Sequence, residues 1–393
     1  MEIMEGMKGT KLFRDRCMTG GEEFYPWYDV NDRPGIINTF HGWPHVAKTK
    51  GIETKAVKLL KDHLIMLFGE GFAKYFIGTL AKKLQNPRWR NHKLIVAFGK
   101  VGGEGKNLLE RIISRVFGQS HVLTSQGTKD LLGEGEAGYN PGAECALLVF
   151  VNEAEKAGKS IVSNEKFKTW ITENIQRIRR MRQAAIFTPN YGIGFMWTNH
   201  RDFLKADPAF LRRLRVAMCS DAKIWDKAYF DTLAALIDDA QGIQEIFDWL
   251  INYDVSTFDP EESPASAFLE TLKADSLTPL QRYIVEVANG ERSAPRGDSD
   301  IPTKELYKDF QQWCSDNGMP SRKVSEFSDF TADLEMIDIP VKQVRKEVDK
   351  TVTKPRCFII RVQVVEQILQ KMQRNQKWKL LHEEDEREAE SDE

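Results

Sequence analysis

Three short, unbroken apolar runs punctuate the chain: LIVAF at 94–98, ALLVFV at 146–151 and GFMWT at 194–198. Uniform apolarity over five or six residues predicts parallel strands buried on both faces. Between and around them the period becomes helical. Val57, Leu60, Leu64, Leu67 and Phe68, then Phe72, Phe76, Leu80 and Leu84, predict a small helical bundle over 51–92, closed by the turn pair Asn86-Pro87. Leu109, Ile112, Ile113 and Val116 predict a helix directly after the first strand. Phe230, Leu233, Leu236 and Ile237, then Ile243, Ile246, Phe247 and Leu250, predict two more that close a region running from 93 to 255. Strands alternating with helices give an α/β fold class. Residues 1–50 are aromatic and turn-rich with no helical period, and 118–142 is polar and glycine-rich.

The pattern changes again beyond 255. Residues 256–276 read as a linker. From 277 to 375, three helical patterns (Ile284 and Val287; Leu306, Phe310 and Trp313; Phe327 and Phe330) precede the strand-like RCFIIRV. Three helices followed by a β-wing predict a winged helix, a unit that serves either as a DNA reader or as a protein dock. Residues 376–393 form an acidic tail, predicted to be disordered.

Composition narrows the class. At 393 residues the chain is too long for one ordinary core, and 41% hydrophobic with 29% charged residues is a soluble globular balance. No apolar run approaches a membrane span and the charged N-terminus lacks a signal-peptide core, so the expectation is an intracellular protein without membrane contact. Cysteines 17, 145, 219, 314 and 357 are scattered, which suggests neither a disulfide framework nor a CxxC metal site. His41 and His45 have ligand spacing but no Cys or acidic cluster beside them, so no zinc site is read there. Residues 383–393 hold eight acids and one arginine, a net of −7 against −2 for the whole chain, which leaves +5 on the rest. Such a tail is a solubilising end or a partner hook.

The chemistry centres on 91–117, which reads as strand, glycine-rich loop and helix. Gly99, Gly102, Gly103 and Gly105 let backbone amides close on an anion, and Lys106 stands where the helix begins, so its ammonium and the helix N-terminus both favour phosphate oxygens. The spacing departs from G-x-x-x-x-G-K-[ST] twice: Gly99 lies one residue too early, and position 107 is Asn, whose amide oxygen can approach Mg²⁺ without supplying the usual hydroxyl. A plain βα turn with a surface lysine is the other reading.

The second strand ends in Asn152-Glu153. At such a tip a carboxylate can polarise a lytic water, which makes Glu153 the general base, while Asn152 stands where Asp would face the metal. As a bland alternative, Glu153 caps the next helix. The third strand closes on Asn199-His200, an amide placed either to meet a γ-phosphate or to start a turn. Arg177, Arg179, Arg180 and Arg182 put four cations within six residues, suited to tracking phosphates or to a solvated face; Arg179, Arg180 and Arg182 have no acid at i±4. Arg212, Arg213 and Arg215 follow, and a guanidinium suits transition-state phosphoryl charge, even across a subunit boundary. Near the third C-terminal helix, Arg322 and Lys323 are placed to meet phosphates.

With these elements in this order the chain resembles the superfamily-3 helicases, AAA+-like P-loop ATPases of viruses, phages and plasmids, and most of all the helicase portion of phage and poxvirus-type primase-helicases. The resemblance rests on GKVGGEGKN as Walker A, LLVFVNEAE as Walker B, FKTWITENIQRIRR with FTPNY as the B′ region, and WTNH followed by DPAFLRRLRV as motif C and arginine finger. It covers roughly residues 40–270. It implies ATP and Mg²⁺ as cofactors, with Lys106 on the phosphates, Asn107 and Asn152 at the Mg²⁺ shell and Glu153 activating water. Asn199 becomes the sensor, Arg213 the finger with Arg212 beside it, and Arg179, Arg180 and Arg182 line a hexamer's DNA channel. The implied function is a hexameric 3′-to-5′ DNA helicase on single-stranded or fork DNA. Its partners would be a replicative polymerase or primase, in the host cytoplasm if the gene is phage- or plasmid-borne. A catalytically weak nucleotide- and DNA-binding loading module is the alternative, motivated by Asn107 and Asn152. A small-molecule kinase is disfavoured by the arginines and the extra C-terminal unit.

Overall fold

A computed structural model of the chain describes residues 22–26, 37–40, 42–48, 51–134, 138–152, 165–199, 208–262, 264, 266, 268, 269, 271, 272, 277–289, 301–319, 326–336, 341–343, 346–348, 351–353 and 356–358. The chain divides into two compact units after Leu272.

The first unit opens with a short parallel pair, β1 (Glu22–Glu23) and β2 (Ile37–Asn38). Helices α1 (Lys55–Phe68) and α2 (Glu70–Gln85) follow. Thr54 caps α1 by accepting from Val57 N–H, and Gly69 separates the two helices. Next in order are β3 (Leu94–Phe98), α3 (Lys106–Phe117), β4 (Val122–Gln126), the single-turn α4 (Lys129–Leu132), β5 (Leu148–Asn152) and α5 (Glu165–Thr172). An antiparallel hairpin, β6 (Ile175–Ile178) with β7 (Ile186–Pro189), leads into β8 (Ile193–Thr198). The unit continues through α6 (Pro208–Leu211), β9 (Leu214–Met218), α7 (Lys227–Asp238) and α8 (Ala240–Ile251).

Five strands form one parallel sheet in the order β4-β5-β8-β3-β9. Alternate residues point to opposite faces, so each buried strand feeds two cores. Ile95, Ala97, Leu148, Phe150, Phe195 and Trp197 join one core with α1, α2, α3, α7 and α8. Leu94, Val96, Val149, Val151, Met196 and Val216 join the other with Phe167, Trp170 and Leu269. The helices of 51–92 are therefore part of the sheet's own core rather than a bundle standing apart from it.

Three stretches differ from their sequence patterns. The polar 118–142 region contains β4, an edge strand whose Thr124 and Gln126 are exposed and whose Ser125 is buried, so that the apolar signature is broken. The arginine-bearing LRV is the start of β9, with Arg215 buried and donating to the carbonyls of Arg212, Leu214, Glu261 and Glu262. Residues 256–262 are no loose linker. Phe258 packs so close to α2 that a Cβ at Gly78 would stand 2.6 Å from its ring. Glu261 pairs with Lys93 at 2.6 Å, and the Tyr75 hydroxyl donates to the Pro260 carbonyl.

The second unit contains α9 (Pro279–Asn289), β10 (Ile301–Pro302), α10 (Thr303–Asp316), α11 (Phe327–Met336), β11 (Val341–Gln343), β12 (Lys346–Val348), β13 (Thr351–Thr353) and β14 (Arg356–Phe358). β14 lies between β10 and β11, antiparallel to both, and β12 pairs with β13. Tyr283, Phe310, Trp313 and Phe330 form its aromatic centre. The acidic tail lies outside the described residues.

Candidate active site

Parallel strands in register bring their carboxyl ends to one edge: Phe98 lies beside Thr198, Trp197 beside Asn152, and Asn152 beside Gln126. This is the edge at which open parallel sheets bind ligands. The loop 99–105 leaves β3 here. Gly99 N–H donates to the Thr198 carbonyl at 2.9 Å and Cys219 N–H to the Phe98 carbonyl at 2.7 Å, so the loop root is tied to both neighbouring strands.

Gly105, at φ 101°, turns the chain into α3, and no side chain caps that helix. A Cβ at Gly105 would stand 2.8 Å from Phe230 and 2.9 Å from His63. The first amides of α3 are thus left for an anion. Lys106 is buried, and its Nζ donates to Glu104 Oε2 at 2.8 Å and to Asn199 Oδ1 at 2.9 Å. The Glu104 carboxylate is only 2% exposed and also accepts from the amides of Gly102 (3.0 Å) and Val101 (3.4 Å) through Oε1. Burial pushes its pKa up, but the bonds from Lys106 and the loop amides outweigh that and hold it below the usual carboxylate value. At Gly99 a Cβ would stand 2.2 Å from Lys106 Nζ and 2.3 Å from Glu104 Oε1, so any side chain there would push this pair aside. An ammonium and loop amides converging on a carboxylate make a cradle that fits an oxyanion; Gly103 lies exposed on its rim.

Beside the cradle a second polar group is buried. Glu110, one turn beyond Lys106 on α3, accepts from Thr124 Oγ1 at 2.5 Å and from Asn152 Nδ2 at 3.0 Å. Asn152 Oδ1 is buried without a hydrogen-bond partner. An orphaned oxygen beside a carboxylate suits a divalent cation, a ligand of hard oxygen donors. Asn107 is exposed on the first turn of α3, and Glu153 and His200 lie outside the described residues. Sequence reasoning passed over Glu104 and Glu110. It also missed His63, whose Nδ1 lies 2.8 Å from the Tyr229 hydroxyl and whose Nε2 is buried without a partner; burial lowers its pKa to about 4. The one available signal was the placement of all three polar residues inside otherwise apolar or glycine-rich motifs.

The remaining residues do not join this edge. Arg212 is exposed and Arg213 half-buried in the turn before β9, where the Arg213 carbonyl accepts from Leu94 N–H. That is the amino end of the sheet, about 15 Å from the cradle by strand rise. Arg177 to Arg182 belong to the β6–β7 hairpin, also rooted at the amino end. Arg180 is clamped by Glu144 in a two-point contact at 2.9 and 2.6 Å, and Arg179 lies over the Tyr139 ring. Arg177 and Arg182 are exposed, beside the exposed Met181 and Phe187. Arg322 and Lys323 lie outside the described residues. Among the described residues, no helix is long and apolar enough to cross a membrane.

A family of unknown function, DUF5906, matches residues 97–215, from the cradle strand to β9. No curated protein sequence matches the chain. Among solved structures, the chain is similar to the C-terminal region of NrS-1 in its apo form. Two such structures are 17% identical, cover 86% of this chain and 84% of theirs, and give a TM-score of 0.63. A third is 16% identical with the same coverage and score. At these identities the likeness is one of fold.

Proposed function

We propose that the chain is a P-loop ATPase of the superfamily-3 type, an oligomeric, hexameric helicase that drives single-stranded or fork DNA through a central channel in the 3′-to-5′ direction during viral or mobile-element replication. One observation carries this reading: Lys106, at the uncapped start of α3, meets Asn199 from the tip of the neighbouring strand around a bound carboxylate. Phosphate oxygens of ATP would take the place of Glu104 there. Lys106 and the loop amides would hold the β- and γ-phosphates, Asn199 would report on the γ-phosphate, and Glu153 would orient the attacking water. A bound Mg²⁺ would neutralise charge on the phosphate oxygens, near Asn107 and Asn152. Arg213 and Arg212, a strand's length from their own cradle, are suited to a neighbouring subunit's site. Arg177, Arg179 and Arg182 would meet the DNA backbone. The helices and three-stranded sheet of the second unit support a winged helix, to which Arg322 and Lys323 would add phosphate contacts. The likeness to the NrS-1 C-terminal region, over 86% of this chain, supports a shared fold.

The neutral Asn152 at the strand tip favours a second reading, a nucleotide-dependent DNA-loading module with little turnover. ATPase activity measured with and without single-stranded DNA, alongside the mass of the assembly, separates the two. DNA-stimulated hydrolysis that disappears in Lys106→Ala supports the helicase. Nucleotide binding without hydrolysis supports the loader, and absence of both removes the P-loop reading.

A further inference from the structure

A divalent cation beside a triphosphate is held by oxygen donors, at least one of them anionic, and the two positions where the Walker motifs place such donors carry neutral amides here, Asn107 and Asn152. A carboxylate nevertheless reaches this spot from another element. Glu110 is four residues beyond Lys106, so the two side chains leave α3 on the same face. Its carboxylate is 6% exposed, takes the Asn152 amide N–H at 3.0 Å and the Thr124 hydroxyl at 2.5 Å, and makes no ion pair among the described residues. Its two donors are both neutral, so a cation would add the pairing that a buried carboxylate otherwise lacks. The second observation is independent of it. Asn152 is 8% exposed, and with its Nδ2 on Glu110 its Oδ1 is left buried and unpartnered, on the same amide carbon and hence at the same spot. Buried amide oxygens are almost always satisfied, and a cation or a water of its shell would satisfy this one. Thr124, on the edge strand, is exposed, so the cluster has a route to solvent.

We propose that Glu110 supplies the anionic oxygen of the divalent-cation site, with Asn152 Oδ1 as its neutral companion. The charge that a strand-tip aspartate would carry has moved across to the phosphate-loop helix. This rests on the nucleotide-binding reading of the cradle. It makes Asn152 a consequence of Glu110 rather than a loss of metal binding, because two carboxylates in this spot would repel each other.

The test uses the full chain, Mn²⁺ and a non-hydrolysable ATP analogue, with bound Mn²⁺ read by electron paramagnetic resonance and analogue binding measured separately in EDTA. Glu110→Gln should bind the analogue in EDTA like wild type but lose at least about tenfold in Mn²⁺ affinity. The exchanged pair Glu110→Gln/Asn152→Asp keeps one amide and one carboxylate facing each other and should recover Mn²⁺ binding. If Glu110 serves only to fasten α3 to β4 and β5, neither variant will move Mn²⁺ affinity relative to analogue affinity, and the proposal falls. It also falls if Glu110→Gln loses Mn²⁺ and the exchanged pair regains none. Wild type that binds no analogue even in EDTA would overturn the cradle reading itself.

Discussion

The Glu104 carboxylate lies 2.8 Å from the Lys106 ammonium, so the cradle at the head of α3 holds an anion supplied by its own loop. An incoming triphosphate must break this pair before Lys106 can serve it. A hydrogen bond to a charged group contributes about 1.5–3 kcal/mol, and about 1.4 kcal/mol is tenfold in affinity. Glu104→Gln should therefore tighten metal-free ATP binding by about tenfold, as read by titration with a fluorescent ATP analogue. Weaker binding would mean that the carboxylate shapes the loop instead of competing for it.

Lys106→Ala and Glu153→Gln should separate binding from chemistry. The first removes the ammonium that meets ground-state phosphates and should weaken ATP binding. The second should bind ATP normally and lose turnover by at least about a hundredfold, because the carboxylate acts on water. Equal hydrolysis by Glu153→Gln and wild type in a phosphate-release assay would end the base assignment.

The hairpin arginines should divide into two behaviours. Arg180, itself part-exposed but clamped on the buried Glu144, should cost stability when changed to Ala, at the low end of about 1–3 kcal/mol by denaturant titration because solvent screens the arginine, since the change leaves a buried carboxylate without this pair. Arg177→Glu with Arg182→Glu should leave the melting temperature unchanged, yet lower affinity for a labelled oligonucleotide and reduce the salt slope by about 0.7 per lost contact. Identical slopes across a salt series would remove the hairpin from the DNA path.

His63 predicts an acid-sensitive fold. Its unfolded form takes a proton near pH 6.5, the buried form only near about 4. Between those values the unfolded chain binds more protons, so stability is full above pH 6.5 and falls as the pH drops toward 4. The slope reaches at most about 1.4 kcal/mol per pH unit. His63→Gln should flatten the decline of the melting temperature over this window. An unchanged decline would assign it to other groups such as His92, whose pKa burial also lowers.

The three central strands, the helix after the loop and Lys106 were legible because burial on both faces leaves an unmistakable apolar run and because a glycine loop before a helix has few alternatives. β4 was hidden because an edge strand tolerates polar residues, and β9 because Arg215 is buried by carbonyls rather than by apolar neighbours. Glu104 and Glu110 read as surface charges in one dimension. Only the loop's fold and the approach of Asn152, 42 residues away from Glu110, turn them inward. Arg180 looked uncompensated for the same reason: its acid, Glu144, is 36 residues away, beyond any local spacing rule.

The hairpin has two roots. Asn140 grips it through the Arg177 carbonyl and the Arg179 amide, only eight residues before β5 begins at Leu148, while β7 runs on into β8 across three residues. β5 ends in Asn152, which meets Glu110, and β8 leads to Asn199, which meets Lys106. A pull on the hairpin is therefore delivered lengthwise through two adjacent parallel rods, both on one side of the strand that carries the phosphate loop. The sheet is stiff along its strands, and the same linkage runs backwards: a rearrangement around the phosphates is felt at the exposed tip as a change in tilt.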